Sequence, residues 1–152
     1  MKRLIGIAVL ACSLAACATT GKLSETERLD LYRAHAGEPV KGFQYFGSLN
    51  GWTELGDSAL AVWTRPNEAW LLELSGPCMD LSYAPAISVT NMMGQVSARF
   101  DNVIVRGGNP GPHIPCRIQT IRPLDVKALR MSEREMREAK LEAREAAAAP
   151  QD

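Results

Sequence analysis

The sequence predicts a mainly β, α+β fold: a small antiparallel β-sheet or barrel-like domain with a short N-terminal helix, one disulfide and a charged C-terminal helix. Three observations predict it. Between residues 43 and 121, short apolar runs alternate with Gly, Asn, Asp and Pro, which is typical of antiparallel strands joined by turns. A capped helical pattern precedes this region and a charged helical pattern follows it. Two of the four cysteines lie within the strand region.

The first residues have the layout of a secretory signal. Lys2 and Arg3 precede the apolar stretch Leu4–Leu14, which small residues follow. A helix of that length reaches about 16 Å, against roughly 30 Å of bilayer hydrocarbon, so it is too short to remain as a membrane span. We expect residues 1–16 to be removed, residues 17–23 to form a tether, and residues 24–125 to form the β domain.

Cys17 ends a four-residue stretch, Leu14-Ala15-Ala16-Cys17, that resembles the lipobox of bacterial lipoproteins. In that motif the cysteine is acylated and becomes the new N-terminus. An ordinary signal peptidase could instead cut after Ala18, which would release a soluble periplasmic protein. We favour lipidation at Cys17. By the same analogy, Ala18 in place of aspartate after the cysteine indicates the periplasmic face of the outer membrane, with the membrane reached through the N-terminal lipid.

The charge balance excludes one class of partner. The chain carries 17 basic and 17 acidic side chains, and removing Lys2 and Arg3 with the signal leaves 15 basic ones. Nucleic-acid binding requires a basic surface, so we expect no nucleic-acid partner. The same balance argues against a polybasic membrane-binding patch.

The cysteines predict one disulfide. Either cleavage removes Cys12, which leaves Cys78 and Cys116 in an oxidising compartment. They lie 38 positions apart, and a bridge over that distance stabilises a domain by about 4 kcal/mol in the chain-entropy model. The alternative is a metal site in which His113, Cys116, Cys78 and His35 are ligands. The paired C-x-x-C or H-x-x-H spacing of structural zinc sites is missing, so we expect no metal and no other cofactor.

The segment from Ser24 to Ala36 predicts a short helix. Ser24 and Glu27 have the spacing of a capping box, and a Gly-x-Pro sequence ends the pattern. Leu31 and Ala34 form its apolar side, which we expect to pack on a sheet.

The clearest hairpin is SALAVWT-RPNE-AWLLELS, with its turn at Pro66-Asn67. If Arg65 lies opposite Glu68, regular pairing predicts Trp63 opposite Trp70, Ala61 opposite Leu72 and Ala59 opposite Leu74. Both faces are apolar, so we expect both to be covered. The tryptophans are interpreted as core residues, and a ligand pocket lined by them is the alternative.

The stretch QVSARFDNVIV contains a change of phase. Val96, Ala98 and Phe100 share one face, and the alternation resumes at Val103 in the opposite phase. This predicts a β-bulge or a bend at Asp101-Asn102. Two roles are open for Asp101. The irregularity could turn its side chain toward a functional site, or Asp101 could cap the bend by accepting hydrogen bonds from nearby backbone N–H groups.

Residues 126–152 are rich in Ala, Glu and Arg. Six basic and five acidic side chains lie between Lys127 and Glu145, among strong helix formers. We expect a solvated, fraying helix or a disordered tail. A thin apolar stripe that includes Leu129 and Met136 leaves packing against a partner helix as the alternative.

The sequence contains no catalytic constellation. Nucleophilic catalysis needs a base beside its nucleophile, and the only candidate acid–base pair is Asp101 with His113. Glu54 and Asp57 flank a turn and are interpreted as solvated acids. The leading hypothesis is therefore a non-enzymatic envelope protein that binds another envelope component, with Asp101, His113 and Trp52 as candidate binding residues. A small-molecule or lipid binder is the alternative, and a small hydrolase is the third hypothesis.

Several stretches together resemble one family. These are RLDLYRAHAGEPV, FQYFGSLNGWTELGDSALAVWTRPNEAWLLELSGPC, VSARFDNVIVRG and PCRIQTIRPLD, between Leu29 and Asp125. They are similar to proteobacterial envelope lipoproteins classed as a domain of unknown function. The RFDxVxV strand and the PCxIxxIRPLD ending are the most specific parts. The resemblance implies the same lipid anchor and a two-cysteine β domain, but no catalytic residue.

Overall fold

A computed structural model describes residues 22–107 and 111–148. The predicted signal segment 1–16 and Cys17 lie outside the described residues. Leu23, which ends the predicted tether, is buried. None of the helices in the described ranges is long and apolar enough to cross a membrane.

The chain forms two α-helices, eight β-strands and a short 3-10 turn in the described ranges. In chain order these are α1 (Glu25–Ala34), β1 (Gly42–Gln44), β2 (Gly51–Glu54), β3 (Ala59–Arg65), β4 (Glu68–Leu74), the turn Leu81–Tyr83, β5 (Ala86–Val89), β6 (Gln95–Ser97), β7 (Asn102–Arg106), β8 (Cys116–Leu124) and α2 (Val126–Ala148). The predicted α+β class is confirmed.

The strands are antiparallel and form two sheets. Six strands pair in the order β2-β3-β4-β8-β7-β5, and β1 pairs with β6 in a separate two-stranded sheet. The larger sheet is open, with β2 and β5 at its edges. The predicted antiparallel sheet is therefore present, and the barrel-like alternative is wrong. Gly42 lies opposite Ser97 in the small sheet, where a Cβ atom would collide with the Val96 carbonyl oxygen.

The large sheet is buried on both faces, as predicted for the central hairpin. One core lies under the small sheet and the 3-10 turn, and it contains Phe43, Leu60, Val62, Leu72, Leu74, Cys78, Leu81, Val89, Val96, Val103, Val105, Ile118 and Ile121. The second core lies under the two helices, and it contains Tyr32, Leu55, Ala59, Ala61, Ala69, Leu71, Leu124, Val126 and Leu129. Helices on one face and strands on the other are a common α+β solution.

The hairpin β3–β4 has the predicted turn but a different register. Arg65 lies opposite Glu68 as expected, whereas Trp63 lies opposite Ala69 and Val62 opposite Trp70. The predicted pairing of Trp63 with Trp70 is wrong because Thr64 is an extra residue in β3, a β-bulge that reverses the phase of the strand.

The two tryptophans of the hairpin therefore lie on opposite faces of the sheet. Trp70 stacks on Phe43 in the first core, with ring centroids 5.1 Å apart. Trp63 packs edge-on against Tyr32 of α1 in the second core, at 6.4 Å. Each ring contributes to a different core.

Helix α1 has the predicted capping box. The Glu27 backbone N–H donates to the Ser24 hydroxyl, and the Ser24 backbone N–H donates to the Glu27 carboxylate. The buried residue of this helix is Tyr32, whereas Ala34 is exposed. The expected apolar side was wrong at Ala34, and Leu31 packs only partly against the second core.

Helix α2 is charged, as predicted, but its first turns are packed. Val126 and Leu129 belong to the second core. The Tyr32 hydroxyl donates to Glu133 at 3.2 Å, and Lys140 Nζ donates to Glu27 at 2.9 Å. The helix therefore packs along α1 as far as Lys140, and residues 141–148 are exposed.

The predicted disulfide between Cys78 and Cys116 is confirmed, with their Cα atoms 5.6 Å apart. Cys78 follows β4 and belongs to the first core, and Cys116 begins β8. The bridge therefore joins the end of the central hairpin to the start of its neighbouring strand. Since both sulfur atoms are bonded to each other, neither is free to bind a metal ion.

Candidate functional site

Asp101 lies where the chain leaves one sheet and enters the other. Strand β6 ends at Ser97, a turn covers residues 98–100, and β7 begins at Asn102. The predicted bend is therefore a change of sheet. Phe100, expected on the same face as Val96, is 82% exposed because it lies on this turn.

Asp101 is only 8% exposed, and its carboxylate accepts two hydrogen bonds. One oxygen accepts from the Thr90 hydroxyl at 2.7 Å, and the other accepts from the Ser97 backbone N–H at 2.8 Å. The Asp101 backbone carbonyl accepts from the Ile118 N–H at 3.0 Å. Asp101 thus fixes the turn to three separate segments, which is the capping geometry weighed above.

The other two candidate binding residues lie elsewhere. His113 is exposed in the loop before β8 and lines a small recess of about 70 Å³ with Met79 and Asp80. Trp52 lies in β2 opposite Val62 and packs against the first core. The structure shows no hydrogen bond or ion pair between Asp101 and His113, so it does not assemble the acid–base pair that the hydrolase hypothesis requires.

The residues weighed as metal ligands are also dispersed. His35 ends α1 and its Nε2 atom lies 3.0 Å from the Ser132 hydroxyl of α2. Within residues 22–107 and 111–148, no group of three His, Cys, Asp or Glu side chains is arranged to hold a metal ion. Glu54 pairs with Arg28 at 3.1 Å, while Asp57 is exposed in the following turn.

The turn that Asp101 fixes forms one wall of a groove of about 680 Å³. We call this the basic groove. Its walls and floor are Pro39, Val40, Lys41, Ser97, Ala98, Arg99, Phe100, Gln119, Thr120, Ile121 and Arg122. Three of these side chains are cationic and none is acidic.

The groove exists because β8 is partnered discontinuously on the side away from β4. The Arg99 N–H donates to the Ile118 carbonyl at 2.7 Å, and the Val40 N–H donates to the Ile121 carbonyl at 2.8 Å. Gln119 and Thr120 lie between these two contacts and form the floor. Gln119 is also the extra residue of a bulge between β4 and β8.

The cations of the groove come from three separate segments. Lys41 precedes β1, Arg99 lies in the turn after β6, and Arg122 lies in β8. The Arg122 Nε atom lies 3.9 Å from Glu73, and Glu73 also accepts a hydrogen bond from Arg33 at 2.9 Å. One carboxylate is therefore shared by two guanidinium groups, and the groove keeps an excess of positive charge.

A second cavity of about 500 Å³ lies beside Trp70 and Phe43. It is lined by Trp70, but Trp63, the other tryptophan of the predicted pocket, lies on the opposite face of the sheet, and Trp52 does not line it. Its cation Arg65 is paired with Glu68 at 3.1 Å, and both belong to the same wall. This cavity therefore carries no net excess of charge, unlike the basic groove.

The family relationship follows from comparison of the whole chain. The model of a family of unknown function (DUF6491) matches residues 1–140. The chain belongs to this family. No curated protein matches the chain, and no solved structure does.

The match confirms that the family is one of unknown function. It extends past Asp125, where the resemblance was expected to stop, and ends at Lys140. Lys140 is also the residue of α2 that contacts Glu27 of α1. The matched region thus includes the part of α2 that packs on the domain.

Sequence reasoning missed Lys41, Arg99 and Arg122 as site residues. They are far apart in the chain, and isolated basic residues beside strands normally face solvent. The available signal was that RFDxVxV and PCxIxxIRPLD each contain an arginine, Arg99 and Arg122. The fold brings these two stretches together at the basic groove.

Proposed function

We propose that this protein is a non-enzymatic, lipid-anchored interaction module of the bacterial envelope. It is held at the periplasmic face of the outer membrane and binds another envelope component through the basic groove. The observation that carries this proposal is the groove itself: about 680 Å³, open to solvent, with three cationic side chains and no acidic one. Ligand sites are usually concave and contain a few convergent polar groups.

The anchor is supported by the N-terminal sequence and by the short separation in sequence between Cys17 and the buried Leu23. Leu14-Ala15-Ala16-Cys17 has the lipobox pattern, and Leu23 is buried against the domain. The segment between Cys17 and Leu23 reaches at most about 20 Å at roughly 3.5 Å per residue. A lipid at Cys17 would thus hold the domain close to the membrane surface.

A binding role without catalysis is supported by the state of the two candidate catalytic residues. Both oxygens of the Asp101 carboxylate are engaged, by Thr90 and by Ser97. His113 lines a different recess. A general base must reach the proton that it abstracts, and this carboxylate is instead used to hold a turn.

A small-molecule or lipid binder is the second candidate function. The volume of the basic groove favours it, because pockets for small ligands typically measure about 300–1,000 Å³. The predicted tryptophan-lined pocket is less favoured, since the three tryptophans pack against the cores.

Site-specific photo-crosslinking in intact cells tests the binding role. A photoreactive amino acid at Gln119, on the groove floor, should give a discrete adduct. The adduct should disappear when Arg99 and Arg122 are both replaced by glutamine. The same amino acid at Glu135, exposed on α2, is the control and should give no such adduct. Identical adducts from both positions, or none from Gln119, would contradict the proposed role of the groove.

The anchor is tested separately by Cys17→Ser. This variant should lose incorporation of labelled fatty acid and should no longer fractionate with the outer membrane, because its acylation site is gone. Cys12→Ser is the matched control and should behave as the parent protein does. Unchanged membrane fractionation of Cys17→Ser would rule out the lipid anchor.

A further inference from the structure

We propose that the basic groove binds a phosphate ester and holds the phosphate group among Lys41, Arg99 and Arg122. This inference rests on the proposed function, because it takes the groove as the binding surface. It adds the chemical class of the ligand that the groove recognises. The ligand is an organic phosphate, either a lipid headgroup or a free ester, because the groove is larger than a phosphate group alone.

The charge of the groove favours an anionic ligand. Three cationic residues from three segments line one groove, and none of the residues that line it is acidic. Arginine presents planar N–H donors that match phosphate oxygens in pairs, and lysine adds a point charge. Two arginines and one lysine around one space are therefore well suited to a phosphate.

The Arg122 guanidinium has few partners within the protein. Its Nε atom is inaccessible to solvent and has no hydrogen-bond partner among the described residues. Burying a donor without a partner is unfavourable. Arg28 Nε has the same property, but the Arg28 guanidinium is held by Glu54 at 3.1 Å. Arg122 has only the shared Glu73 at 3.9 Å among the described residues, so its positive charge is only partly neutralised by the protein.

The backbone of the turn that carries Arg99 is preorganised. Arg99 has a left-handed backbone with φ of +68°, which is unfavourable for a residue with a side chain. It is held there by its N–H bond to Ile118, by a bond from Arg117 to its own carbonyl at 3.1 Å, and by the adjacent Asp101. The backbone that carries this cation is therefore fixed at the rim of the groove before any ligand binds, so the backbone need not be ordered on binding.

The rim also offers an apolar surface for the organic part of the ligand. The Phe100 ring is exposed beside Arg99, and Val40 and Ala98 also line the groove. Inorganic phosphate would use only the cations, whereas a phosphate ester would also cover this apolar surface. The ester is thus the better match.

Calorimetric titration of the full lipidated protein in a neutral detergent tests the proposal. The probes are glycerol 3-phosphate, a short-chain phosphatidylglycerol and glycerol. Both phosphate esters should bind saturably with one site, and glycerol should not bind. Arg99→Gln and Arg122→Gln should each weaken binding by about tenfold or more, because each removes a charge-assisted contact. Arg65→Gln, in the second cavity, should change the affinity less than about twofold.

The two sources of phosphate are distinguished by the same titration. Binding of the lipid at least about tenfold tighter than glycerol 3-phosphate would assign the headgroup source, and equal binding would assign a free ester. Melting curves of each variant show whether it is folded. If Arg99→Gln unfolds, Lys41→Gln replaces it, because Lys41 makes no hydrogen bond or ion pair through its side chain among the described residues.

Three results would overturn the phosphate assignment. These are the absence of saturable binding by either ester, unchanged affinity in folded Arg99→Gln and Arg122→Gln, and tighter binding of an acidic peptide through the same residues. The last result would leave the groove as a binding surface for a protein partner. It would therefore rule out the phosphate ligand without ruling out the proposed function. The crosslinking experiment tests the proposed function separately.

Discussion

Asp101 shows how a buried charge can serve a surface site without lining it. Its carboxylate holds the Ser97–Phe100 turn, and that turn places Arg99 at the rim of the basic groove. Hydrogen bonds to a charged acceptor are stronger than neutral ones, so one residue can fix a turn that contains an unfavourable backbone conformation. Asp101 is a positioning residue for the groove.

Replacing Asp101 should therefore destabilise the protein. Asp101→Asn converts a charged acceptor into a neutral amide, which cannot accept from Thr90 and Ser97 in the same way. We expect a loss of about 1.5–3 kcal/mol in the free energy of unfolding, measured by urea denaturation. Asp57→Asn, an exposed turn acid, is the control and should change stability by less than about 0.5 kcal/mol. Equal effects of the two substitutions would contradict this role.

At the residue scale, the sequence identified Asp101 as an unusual acid but could not choose between its two roles. The choice depends on Thr90, which is distant in the chain until the fold brings its hydroxyl to the carboxylate. The cations of the groove could not be predicted for the same reason. Their importance arises only when Lys41, Arg99 and Arg122 come together.

At the scale of elements, the contact between α1 and α2 is polar as well as apolar. The Glu27 carboxylate accepts hydrogen bonds from the Ser24 backbone and hydroxyl and from Lys140. The Ser24 backbone N–H, followed by Lys140, lowers the pKa of Glu27 from 4.5 to about 2. At the other contact, burial, followed by the nearby Glu133 carboxylate, raises the pKa of the Tyr32 hydroxyl above its usual range.

The lowered pKa of Glu27 predicts an acid-dependent part of stability. Because the pKa is lower in the folded state, the stabilisation is fully present above pH 4.5 and is lost as the pH falls to about 2. Glu27→Gln should therefore show a smaller decrease in unfolding free energy over this window than the parent, measured by urea denaturation at several pH values. Ser24→Ala removes the hydroxyl that donates to Glu27, so it should also make the decrease in unfolding free energy over this pH window smaller. Parallel curves for the parent and Glu27→Gln would contradict the prediction.

The packing of α2 predicts unequal effects of two leucine substitutions in one helix. Leu129 is 1% exposed in the second core, whereas Leu141 is 51% exposed beyond the packed turns. Leu129→Ala should cost about 2–5 kcal/mol of unfolding free energy, because it leaves a cavity. Leu141→Ala should cost less than about 0.5 kcal/mol. Similar melting temperatures for the two variants would show that the helix is solvated throughout.

Both helices and the central hairpin could be predicted from local pattern, and the error in the hairpin register has a local polar cause. The capping box and the Pro66-Asn67 turn placed α1 and the central hairpin correctly. The predicted register of β3–β4 was wrong at Thr64. The Thr64 hydroxyl donates to Glu68 at 2.6 Å and accepts from the Trp70 ring N–H at 3.3 Å. This polar contact fits a bulge, which an alternating apolar pattern does not reveal.

At the scale of the whole molecule, two cores share the two faces of one sheet. The strands β3, β4 and β8 contribute side chains to both cores, so neither core can open without disturbing the other. The disulfide lies at one end of this shared sheet, where it joins the start of β8 to the segment after β4. The covalent bridge therefore acts on the strands that both cores require.

Loss of the bridge should weaken the entire domain. The Cys78→Ala/Cys116→Ala double variant should lose about 4 kcal/mol of unfolding free energy, since the unfolded chain is no longer constrained over 38 residues. Reductant should lower the urea midpoint of the parent and leave that of the double variant unchanged. Thiol titration of the unreduced parent should detect neither Cys78 nor Cys116. A midpoint that is insensitive to reductant would contradict the structural role of the bridge.

The position of the bridge also affects how the sheet assembles in time. Strands β4 and β8 are distant in sequence, and pairings of that kind form slowly because a long loop must close first. Leu74 lies opposite Ile118 in this pair, only a few residues outside Cys78 and Cys116. Once the cysteines are joined, the bridge holds the end of β4 close to the start of β8, much as a short turn joins the strands of a hairpin. Formation of the disulfide therefore makes the longest-range strand pairing of the central sheet a local one, and we expect the oxidised chain to fold faster than the reduced chain.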